Sequence, residues 1–407
     1  MSWLIIADDL SGAADCAIGF AAHGARTVVT LDAAAATEVG GADVVAADVD
    51  SRRLAPADAA ARNLEAWRCG TAAHRRLYKK IDSTLRGNWA VETAALQPVA
   101  GLAVVAPAFP ATGRVTRDGR MFVNGQPLED TDIWRLEGLD GPADMVALLQ
   151  AQGLRTARIS LYTLRAGMTA VQSQLATWQA EGYQAVVSDA ETEADLLTLA
   201  QASVDLASPV FWVGSGGLAR ALSTAAPVRG VEDAAPAAPR HEGPVLTLVG
   251  SMSGVSGKQA SYLCEQAGID ALVVPPQALR DGCHHAAWIA SQQSIAECLM
   301  AGRDLLVSIG RDDAFDPAEG PQLSTALARL VLPCFAHVGG LIATGGETAR
   351  AMLAAAGIGA LTLKREVEAG VPLSETTTGP TRRIATKAGA FGTEAALWLA
   401  WQAMRQD

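Results

Sequence analysis

Two adjacent carboxylates near the start of the chain have the residue type and placement for acid–base chemistry. Asp8 and Asp9 directly follow the apolar run Trp3–Ala7, and Ser11-Gly12 opens a helical pattern behind them. The run predicts a buried strand, and ligands of open α/β sheets bind outside the carboxyl ends of the strands. We therefore expect Asp8, Asp9 or both to touch a substrate or metal as catalytic residues. The alternative is that Asp9 or Ser11 only caps the helix.

Charged residues of both signs follow two more predicted strands. The segment VDSR (Val49–Arg52) follows one, and KKIDSTLRGN (Lys79–Asn88) surrounds the end of another. Arg and Lys can grip a carboxylate while Asp and Ser bond hydroxyl groups, so the segments predict a site for a small polar anion. The alternative, open for Arg86 and Lys79, is an ion-pair network at the edge of the sheet.

Three glycine-bearing turns in the second half of the chain each follow a predicted strand. They are VGSMSGVSGKQ, ATGGETARAML and ATKAGAFGTEAAL, which begin at Val249, Ala343 and Ala385. A strand, a glycine turn and a helix N-terminus together offer backbone N–H donors to a phosphate. The three turns predict a nucleotide cradle, although Met252 and Gln259 break the pattern of a P-loop.

The segment GSGGLARAL, which begins at Gly214, matches GxGxxA through Gly214, Gly216 and Ala219. A dinucleotide site also needs a following strand that ends in an acidic residue, but here a proline-rich stretch follows. The segment therefore favours a tight strand-to-helix turn with the N–H groups to bind an anion. An NAD(P)-dependent oxidoreductase remains the alternative.

Short β-branched runs alternate with alanine-rich amphipathic stretches, which is typical of βαβ units. The predicted fold is α/β with two domains, each a mostly parallel sheet flanked by helices. Asp118-Gly119 and Asn124-Gly125 are turn dipeptides that predict a hairpin excursion in the first domain. The predicted boundaries are a first domain over 1–228, a linker over 229–243 and a second domain over 244–407. The predicted strands are Trp3–Ala7, Arg26–Leu31, Asp43–Ala47, Leu77–Ile81, Leu102–Pro107, Ala157–Leu161, Gln184–Ser188, Val210–Val213, Val245–Val249, Ala271–Val274, Leu305–Ile309, Leu341–Ala343, Ala360–Leu363 and Ile384–Thr386.

Composition and charge exclude several classes of protein. The 407 residues, 50% hydrophobic and 18% charged, exceed what one core usually serves and do not fit a disordered or collagenous chain. The formal net charge of −11 argues against nucleic-acid and membrane partners. The six cysteines form no CxxC pair, and no basic segment or long apolar run indicates a signal peptide or membrane span. We expect a cytoplasmic protein.

The motifs occur together in the order of one known family. ADDLSGA, VDSR, KKIDSTLRGN, the stretch from APAFPATGR to VNGQPL, GSMSG, ATGGET and TKAGAFG make the chain resemble the four-carbon acid sugar kinases over nearly its full length. The family includes D-threonate, D-erythronate and 3-oxo-tetronate kinases. The resemblance implies an N-terminal sugar-acid-binding domain, a C-terminal nucleotide-binding domain and ATP-dependent phosphorylation of a terminal hydroxyl, with Mg²⁺ as cofactor.

The resemblance also implies site residues, matched motif by motif. Asp8 or Asp9 would be the base. A non-catalytic sugar-acid sensor and an oxidoreductase remain as alternative functions of the protein. The chain departs from the family's usual turns at Gly254, where Pro is common, and at Ala388, where Ser is common. Small molecules would be the partners, with a homo-oligomer possible. The implied substrate-binding residues are Asp50, Ser51, Arg52, Lys80, Asp82, Ser83 and Arg86, and the implied nucleotide-binding residues are Ser251, Ser253, Gly345, Gly346, Glu347, Thr348, Lys387 and Gly389.

Overall fold

The computed structural model describes residues 2–32, 41–70, 75–138, 141–228, 242–251, 253–312, 316, 319–389 and 391–406. The chain divides into two compact units, residues 1–231 and 232–407. Most of the predicted linker, 229–243, lies outside the described residues, so the domain boundaries stay a prediction.

The first unit contains a parallel sheet with helices in the connections. Its strands lie in the order β2-β3-β1-β4-β11-β5-β10-β9, and every neighbouring pair is parallel. The strands are β1 (Trp3–Ala7), β2 (Thr27–Thr30), β3 (Val44–Asp48), β4 (Arg76–Lys80), β5 (Leu102–Ala106), β6 (Arg114–Arg117), β7 (Arg120–Val123), β8 (Gln126–Pro127), β9 (Thr156–Ile159), β10 (Ala185–Ser188) and β11 (Val210–Gly214). The helices are α1 (Leu10–Ala22), α2 (Pro56–Gly70), α3 (Trp89–Ala100), α4 (Asp132–Leu136), α5 (Met145–Ala151), α6 (Leu161–Arg165), α7 (Met168–Ala180), α8 (Glu193–Val204) and α9 (Gly216–Ala225).

The second unit has a mixed sheet. Its strands lie in the order β13-β14-β12-β15-β18-β17-β16, parallel from β13 to β18 and antiparallel from there to β16. The strands are β12 (Val245–Val249), β13 (Asp270–Val274), β14 (Leu305–Ile309), β15 (Gly340–Thr344), β16 (Ala360–Glu368), β17 (Val371–Thr376) and β18 (Arg383–Lys387). The helices are α10 (Gly254–Ala267), α11 (Pro276–Asp281), α12 (Ala286–Met300), α13 (Gly320–Val331), α14 (Gly346–Ala355) and α15 (Ala396–Arg405).

The predicted α/β fold and its hairpin excursion are confirmed. Strands β6, β7 and β8 form a small antiparallel sheet. Asp118 and Asn124 adopt left-handed backbone conformations at its two turns, each followed by a left-handed glycine, as the turn dipeptides predict. The predicted strands agree with the observed ones to within two residues, except at Ala360.

The prediction was wrong beyond Ala360. Strand β16 continues to Glu368 and pairs antiparallel with β17, for which no strand was predicted. The charged run from Lys364 to Glu368 interrupts the apolar pattern, because this part of the strand exposes its side chains to solvent. Gly370, with a φ of 80°, supplies the left-handed turn between the two strands.

The core of the first unit leaves only the ends of its central strands for chemistry. The ring of Trp3 in β1 lies 5.2 Å from that of Phe20 and 5.1 Å from that of Trp212, centroid to centroid. Every residue of β1 is fully buried. Because both faces of the central strands are packed, polar groups can gather only where the strands end.

Candidate functional site

Three loops of the first unit meet at one place because their strands are neighbours. Strand β1 lies between β3 and β4, and its last residue, Ala7, pairs with Asp48 and with Lys80. The residues that follow these strands, Asp8-Asp9, Asp50–Arg52 and Asp82–Arg86, therefore emerge side by side. This is the arrangement that the strand-end motifs predict.

Asp8 is the buried centre of this cluster. Its carboxylate accepts a hydrogen bond from Arg52 Nε at 2.7 Å and one from Lys80 Nζ at 2.9 Å. Burial alone would raise the pKa of Asp8, but the charges of Arg52 and Lys80 outweigh burial and hold this pKa well below its usual range. The same contacts raise the pKa of Lys80 and of Arg52 against the effect of burial. Asp8 is thus a permanently charged group that orients the two cations.

Asp9 has a more open carboxylate. Its Oδ1 accepts from Gly12 N at 3.2 Å and from Lys80 Nζ at 2.5 Å, and it lies 2.9 Å from Arg52 Nη2. All three contacts fall on Oδ1, and within the described part of the chain Oδ2 has no hydrogen-bond partner. The side chain is 25% exposed, against 3% for Asp8. Asp9 therefore caps α1 with one oxygen, and its other oxygen takes no part in the hydrogen bonds of the cluster.

Gly12 makes room for this arrangement. A Cβ at Gly12 would lie 2.0 Å from Lys80 Nζ and 2.5 Å from Asp9 Oδ1. The Lys80 side chain thus crosses the first turn of α1 where only a glycine leaves space.

Asp82 forms the second half of the cluster. Its Oδ2 accepts from Arg86 Nη2 at 2.6 Å and lies 3.6 Å from Arg52 Nη2, while its Oδ1 accepts from the Thr84 backbone N at 2.8 Å. Burial would raise the pKa of Asp82, but Arg86 and Arg52 lower it well below its usual value. The Arg86 side chain is 38% exposed, so it is held by Asp82 and still reaches solvent.

Backbone strain marks both loops that carry the arginines. Asp50 has a φ of 47° and Leu85 a φ of 58°, conformations that L-residues avoid at a cost of about 1–2 kcal/mol each. Strain of this kind persists where the surroundings over-determine it, and it concentrates at functional sites. Gly87 joins the loops, because a Cβ there would lie 3.3 Å from the backbone of Arg52.

Three predicted substrate residues differ from the others in their surroundings. Asp50 is exposed, Ser51 is fully buried and donates to Glu92, and Ser83 is half-buried. Lys79 lies 2.9 Å from Glu92 in a completely buried ion pair, which confirms the ion-pair alternative for that residue. Glu92 gave no signal in the sequence, because it sits in the helical pattern of α3.

A second cluster forms in the second unit by the same geometry. Strand β15 lies between β12 and β18, and its last residue, Thr344, pairs with Val249 and with Lys387. The turns that follow these strands carry the residues predicted for a nucleotide. They therefore lie together at one edge of the sheet.

Lys387 is the buried cation of this cluster. Its Nζ donates to Thr344 Oγ1 at 3.1 Å and to the Gly389 carbonyl at 3.0 Å. Burial lowers its pKa to about 8, with Glu368 acting weakly in the opposite direction. A phosphate beside this ammonium group would restore its charge.

Serine hydroxyls complete the cluster. Ser253 caps α10, accepting from the Ser256 backbone N at 3.1 Å, and its hydroxyl also donates to the Gly389 carbonyl at 3.1 Å. Ser256 donates to the same carbonyl at 2.7 Å, and Ser251 donates to Ser253 at 3.2 Å. Sequence reasoning missed Ser256 and Thr344. The Ser-x-x-Ser spacing and the position of Thr344 at the end of a strand were the available signals.

The remaining predicted nucleotide residues surround this edge. Gly345, with a φ of 99°, begins α14 and donates its N–H to Lys387 O at 2.9 Å, and Gly346 and Glu347 form the first turn. Thr348 is buried and lies 3.1 Å from the Ser324 hydroxyl.

A cavity of about 350 Å³ adjoins the second cluster. Ser251, Ser253 and Arg311 are among the residues that line it. The rest of its wall comes from α10 and from strands β12, β13 and β14 and is mostly apolar. The other lining residues are Val249, Gly257, Ala260, Ser261, Cys264, Ala271, Val273, Leu306, Ser308 and Ile309.

The glycine turn at Gly214 is filled by the protein itself. A Cβ at Gly216 would lie 2.2 Å from the Asp15 carboxylate, and one at Gly217 would lie 2.4 Å from the Ala108 carbonyl. An anionic side chain thus already occupies the N-terminus of α9, where a dinucleotide would place its pyrophosphate. The geometry favours a close-packing role for these glycines.

This interpretation predicts the behaviour of Gly216→Ala. Because overpacking of this kind typically costs 1–3 kcal/mol, we expect the free energy of unfolding to fall by about that amount. Urea unfolding would measure it, with Gly359→Ala as the control, since a Cβ there meets no atom within 4 Å. Tight binding of NAD(P) that Gly216→Ala abolishes without loss of stability would contradict the packing role.

Among the described residues, no group of three or more His, Cys, Asp or Glu side chains is placed to hold a metal ion. No helix in the described ranges is long and apolar enough to cross a membrane.

The fold and the two clusters define an α/β protein of two units, each with a group of charged and polar side chains at the ends of its central parallel strands. Comparison with known proteins gives the domain type of each unit. Residues 3–222 match the model of a sugar-binding N-terminal domain, and residues 246–397 match that of a nucleotide-binding C-terminal domain. The chain belongs to the four-carbon acid sugar kinase family, and it is an enzyme of the kinase class.

Curated relatives extend over the whole chain. A D-threonate kinase of Cupriavidus necator is 68% identical over 100% of this chain and 99% of its own. A D-threonate kinase of Bordetella bronchiseptica is 36% identical over 99% and 97%, and a 3-oxo-tetronate kinase of Cupriavidus necator 30% over 95% and 93%. A solved structure from Salmonella typhimurium LT2, 23% identical, has the same fold with a TM-score of 0.81 over 99% of both chains.

Proposed function

We propose that this protein is an ATP-dependent D-threonate kinase that phosphorylates the 4-hydroxyl of its substrate. The observation that carries the proposal is the open Oδ2 of Asp9 beside Lys80 and Arg52, a base next to an anion-binding group. The identity of 68% over the full length to a D-threonate kinase supports this choice of sugar acid. ATP use and the phosphorylated position are part of the proposal.

The first unit binds and activates the sugar acid. Arg86 and Lys80 hold its carboxylate, and Asp9 Oδ2 accepts the proton of the terminal hydroxyl as the hydroxyl oxygen attacks the γ-phosphorus. The bond from the γ-phosphorus to the bridging oxygen breaks and ADP leaves. Positioning and charge neutralisation are the main demands of this reaction, and the paired cations meet both.

The second unit binds the nucleotide. Lys387, the hydroxyls of Ser251 and Ser253 and the backbone N–H groups at the start of α14 hold the phosphates. The apolar cavity beside Ser251 and Ser253 takes the nucleoside, since its volume and its mostly apolar wall suit a base and a ribose. The residues of the three turns that the family resemblance implies would thus bind a single nucleotide.

Mg²⁺ is the expected companion of the nucleotide. This ion keeps several waters when bound to phosphates and takes only one or two protein oxygens. The hydroxyl of Ser251, in the turn after β12, and the carboxylate of Glu347, in the first turn of α14, are hard oxygen donors of the right type. When bound, the ion neutralises charge on the phosphates.

The test is a screen for ADP release with the stereoisomers of threonate and erythronate and their 3-oxo forms. We expect D-threonate to give the highest kcat/KM and a product phosphorylated on its terminal oxygen, as read by phosphorus NMR. No ADP release with any of these acids, or a tenfold preference for another of them, would contradict the proposal.

The pKa of Lys387 predicts how nucleotide binding depends on pH. The phosphates bind the ammonium form, and Lys387 loses its proton near pH 8 in the free protein. The KM for ATP should therefore stay level below about pH 7.5 and rise about tenfold by pH 9. Lys387→Arg is the control, because a guanidinium stays charged and its KM should not change over this range. A level profile in the wild type would show that Lys387 does not bind phosphate as an ammonium.

All six cysteines are free thiols in the structure. This supports a reducing compartment, and we propose that the enzyme works in the cytoplasm.

A further inference from the structure

A fully buried ion pair begins at Lys79, the residue before Lys80 in β4. Lys80 belongs to the cluster with Asp8, Asp9, Arg52 and Asp82. Lys79 and Glu92 are 0% and 1% exposed, and Lys79 Nζ lies 2.9 Å from Glu92 Oε2. Well-packed apolar residues usually stabilise a protein as much as such a pair does, because burying two charges is costly. Stability alone therefore does not account for charges at this position.

The two oxygens of Glu92 face different partners, and one of them reaches the loop that carries Arg52. Oε2 lies 2.9 Å from Lys79 Nζ as an ion pair without hydrogen-bond geometry, and Oε1 accepts the hydroxyl hydrogen of Ser51. Ser51 is completely buried and is the residue before Arg52. The ion pair fixes the carboxylate, and the carboxylate fixes the loop.

Two residues just before α3, Gly87 and Asn88, contact the same loop. Asn88 Nδ2 donates to Ser51 O at 3.1 Å and to Leu54 O at 2.9 Å. Gly87 packs against the Arg52 backbone so closely that a Cβ would lie 3.3 Å from it. Residues before and after Arg52 in the chain are thus held by the segment from Gly87 to Glu92, and Asp50 with its left-handed backbone lies two positions before Arg52.

Lys79 also ties this support to the cluster through the strand. Lys79 and Lys80 are adjacent in β4, so their side chains lie on opposite faces of the sheet. Lys80 binds Asp8 and Asp9, and Lys79 binds Glu92. Adjacent positions of β4 thus connect the cluster around Asp8 and Asp9 to the ion pair with Glu92.

We infer that Glu92, held by Lys79, is a positioning residue that fixes Arg52 through Ser51. Arg52 then presents its guanidinium to Asp8, Asp9 and Asp82 in one fixed orientation. The kinetic consequences of this inference rest on the proposed function, whereas the orientation of Arg52 in the free protein does not.

The test replaces the pair as a unit, with Lys79→Met and Glu92→Leu in the full chain, so that no single charge is left buried. The first readout is the Arg52 Nε–H signal in ¹⁵N NMR, identified by its absence in Arg52→Lys. Because Arg52 Nε donates to Asp8 at 2.7 Å, this proton should exchange slowly with water in the wild type. We expect exchange at least about tenfold faster in the double variant, whose unfolding transition stays cooperative.

The second readout is kinetic. The double variant should lower kcat/KM for the sugar acid about tenfold or more and leave the KM for ATP unchanged. In an Arg52→Lys background the same double substitution should have little further effect, because contacts that act through one residue are not additive. If the ion pair had only a structural role, the double substitution would worsen the kinetic parameters of both substrates alike. Its effect would also add to that of Arg52→Lys.

Two further single variants complete the test. Ser51→Ala removes only the hydrogen bond to Glu92 and tests the same link if the double variant does not fold. Thr93→Val, which removes a buried hydroxyl that bonds within α3 at 2.7 Å, is the matched control and should change neither readout. A folded double variant, or Ser51→Ala, with wild-type Arg52 exchange and unchanged kcat/KM would overturn the inference. Wild-type protein that releases no ADP would refute the proposed function, and the NMR readout would still decide the inference.

Discussion

Asp9→Asn should lower kcat by about 10²- to 10⁴-fold, the range that a positioned general base contributes. The amide keeps an oxygen for the Gly12 N–H and for Lys80, so the cap of α1 and the shape of the site remain. The group that accepts the proton is lost. Because the cluster becomes more positive by one charge, the KM for the sugar acid should not rise. The loss should therefore fall on kcat, as for an interaction made only in the transition state.

Nucleotide binding separates this outcome from a general loss of structure. Calorimetric titration with ADP should give the same affinity in Asp9→Asn as in the wild type, since Lys387 and the serine hydroxyls lie in the other unit. Asp58→Asn, a substitution at an exposed carboxylate in α2, is the control and should leave kcat unchanged. A kcat for Asp9→Asn within threefold of the wild type would exclude Asp9 as the base.

Asp8 is a less suitable base, and its substitution is a less clean test. Its lowered pKa and its two cationic partners make it a weak proton acceptor. Removing its charge would break two buried ion pairs and leave Asp9 as the carboxylate that Lys80 and Arg52 share, so the fold would also lose stability. Loss of activity in Asp8→Asn would thus mix an effect on catalysis with an effect on folding.

The sequence predicts where the chemistry gathers because strand ends are a property of the pattern. An apolar run that stops at Asp8, and others that stop near Asp48 and Lys80, place polar residues at the carboxyl edge of a parallel sheet whatever the details of packing. The same argument applies to Thr344 and Lys387 in the second unit. Neighbouring strands were enough to bring the predicted residues together.

The sequence does not predict which polar residues support others, since that depends on contacts between distant elements. The hydroxyl of Ser51 could bind a substrate or bond within the protein. Only its burial against Glu92, 41 positions away, shows that it bonds within the protein. The freedom of Asp9 Oδ2 likewise depends on the side-chain orientation that Gly12 and Lys80 impose. Strand β17 was missed because its own sequence, VPLSET, contains a proline and three polar residues and so lacks the apolar pattern of a strand.

Lys387→Met should raise the KM for ATP about 10- to 100-fold, because hydrogen bonds to a charged group contribute about 1.5–3 kcal/mol. The KM for the sugar acid should not change. The stability of the free protein should not fall in the same way. A lysine pKa lowered to about 8 means that the fold disfavours the charged form, so at pH 7 burial of this charge costs free energy that methionine does not incur. The cost is relieved in the wild type only as the pH rises through 8 towards the unfolded value of 10.5.

The combination of weaker nucleotide binding and retained stability is what distinguishes a ligand-binding lysine from a structural one. Methionine fills a similar volume, and the Gly389 carbonyl keeps the hydrogen bonds from Ser253 and Ser256. Thermal unfolding of the free protein at pH 7 and calorimetric titration with ADP would measure the two effects. Lys364→Met, at a half-exposed lysine paired with Glu375, is the control for nucleotide affinity. Lower stability with unchanged affinity for ADP would show that Lys387 serves the fold and does not bind the nucleotide.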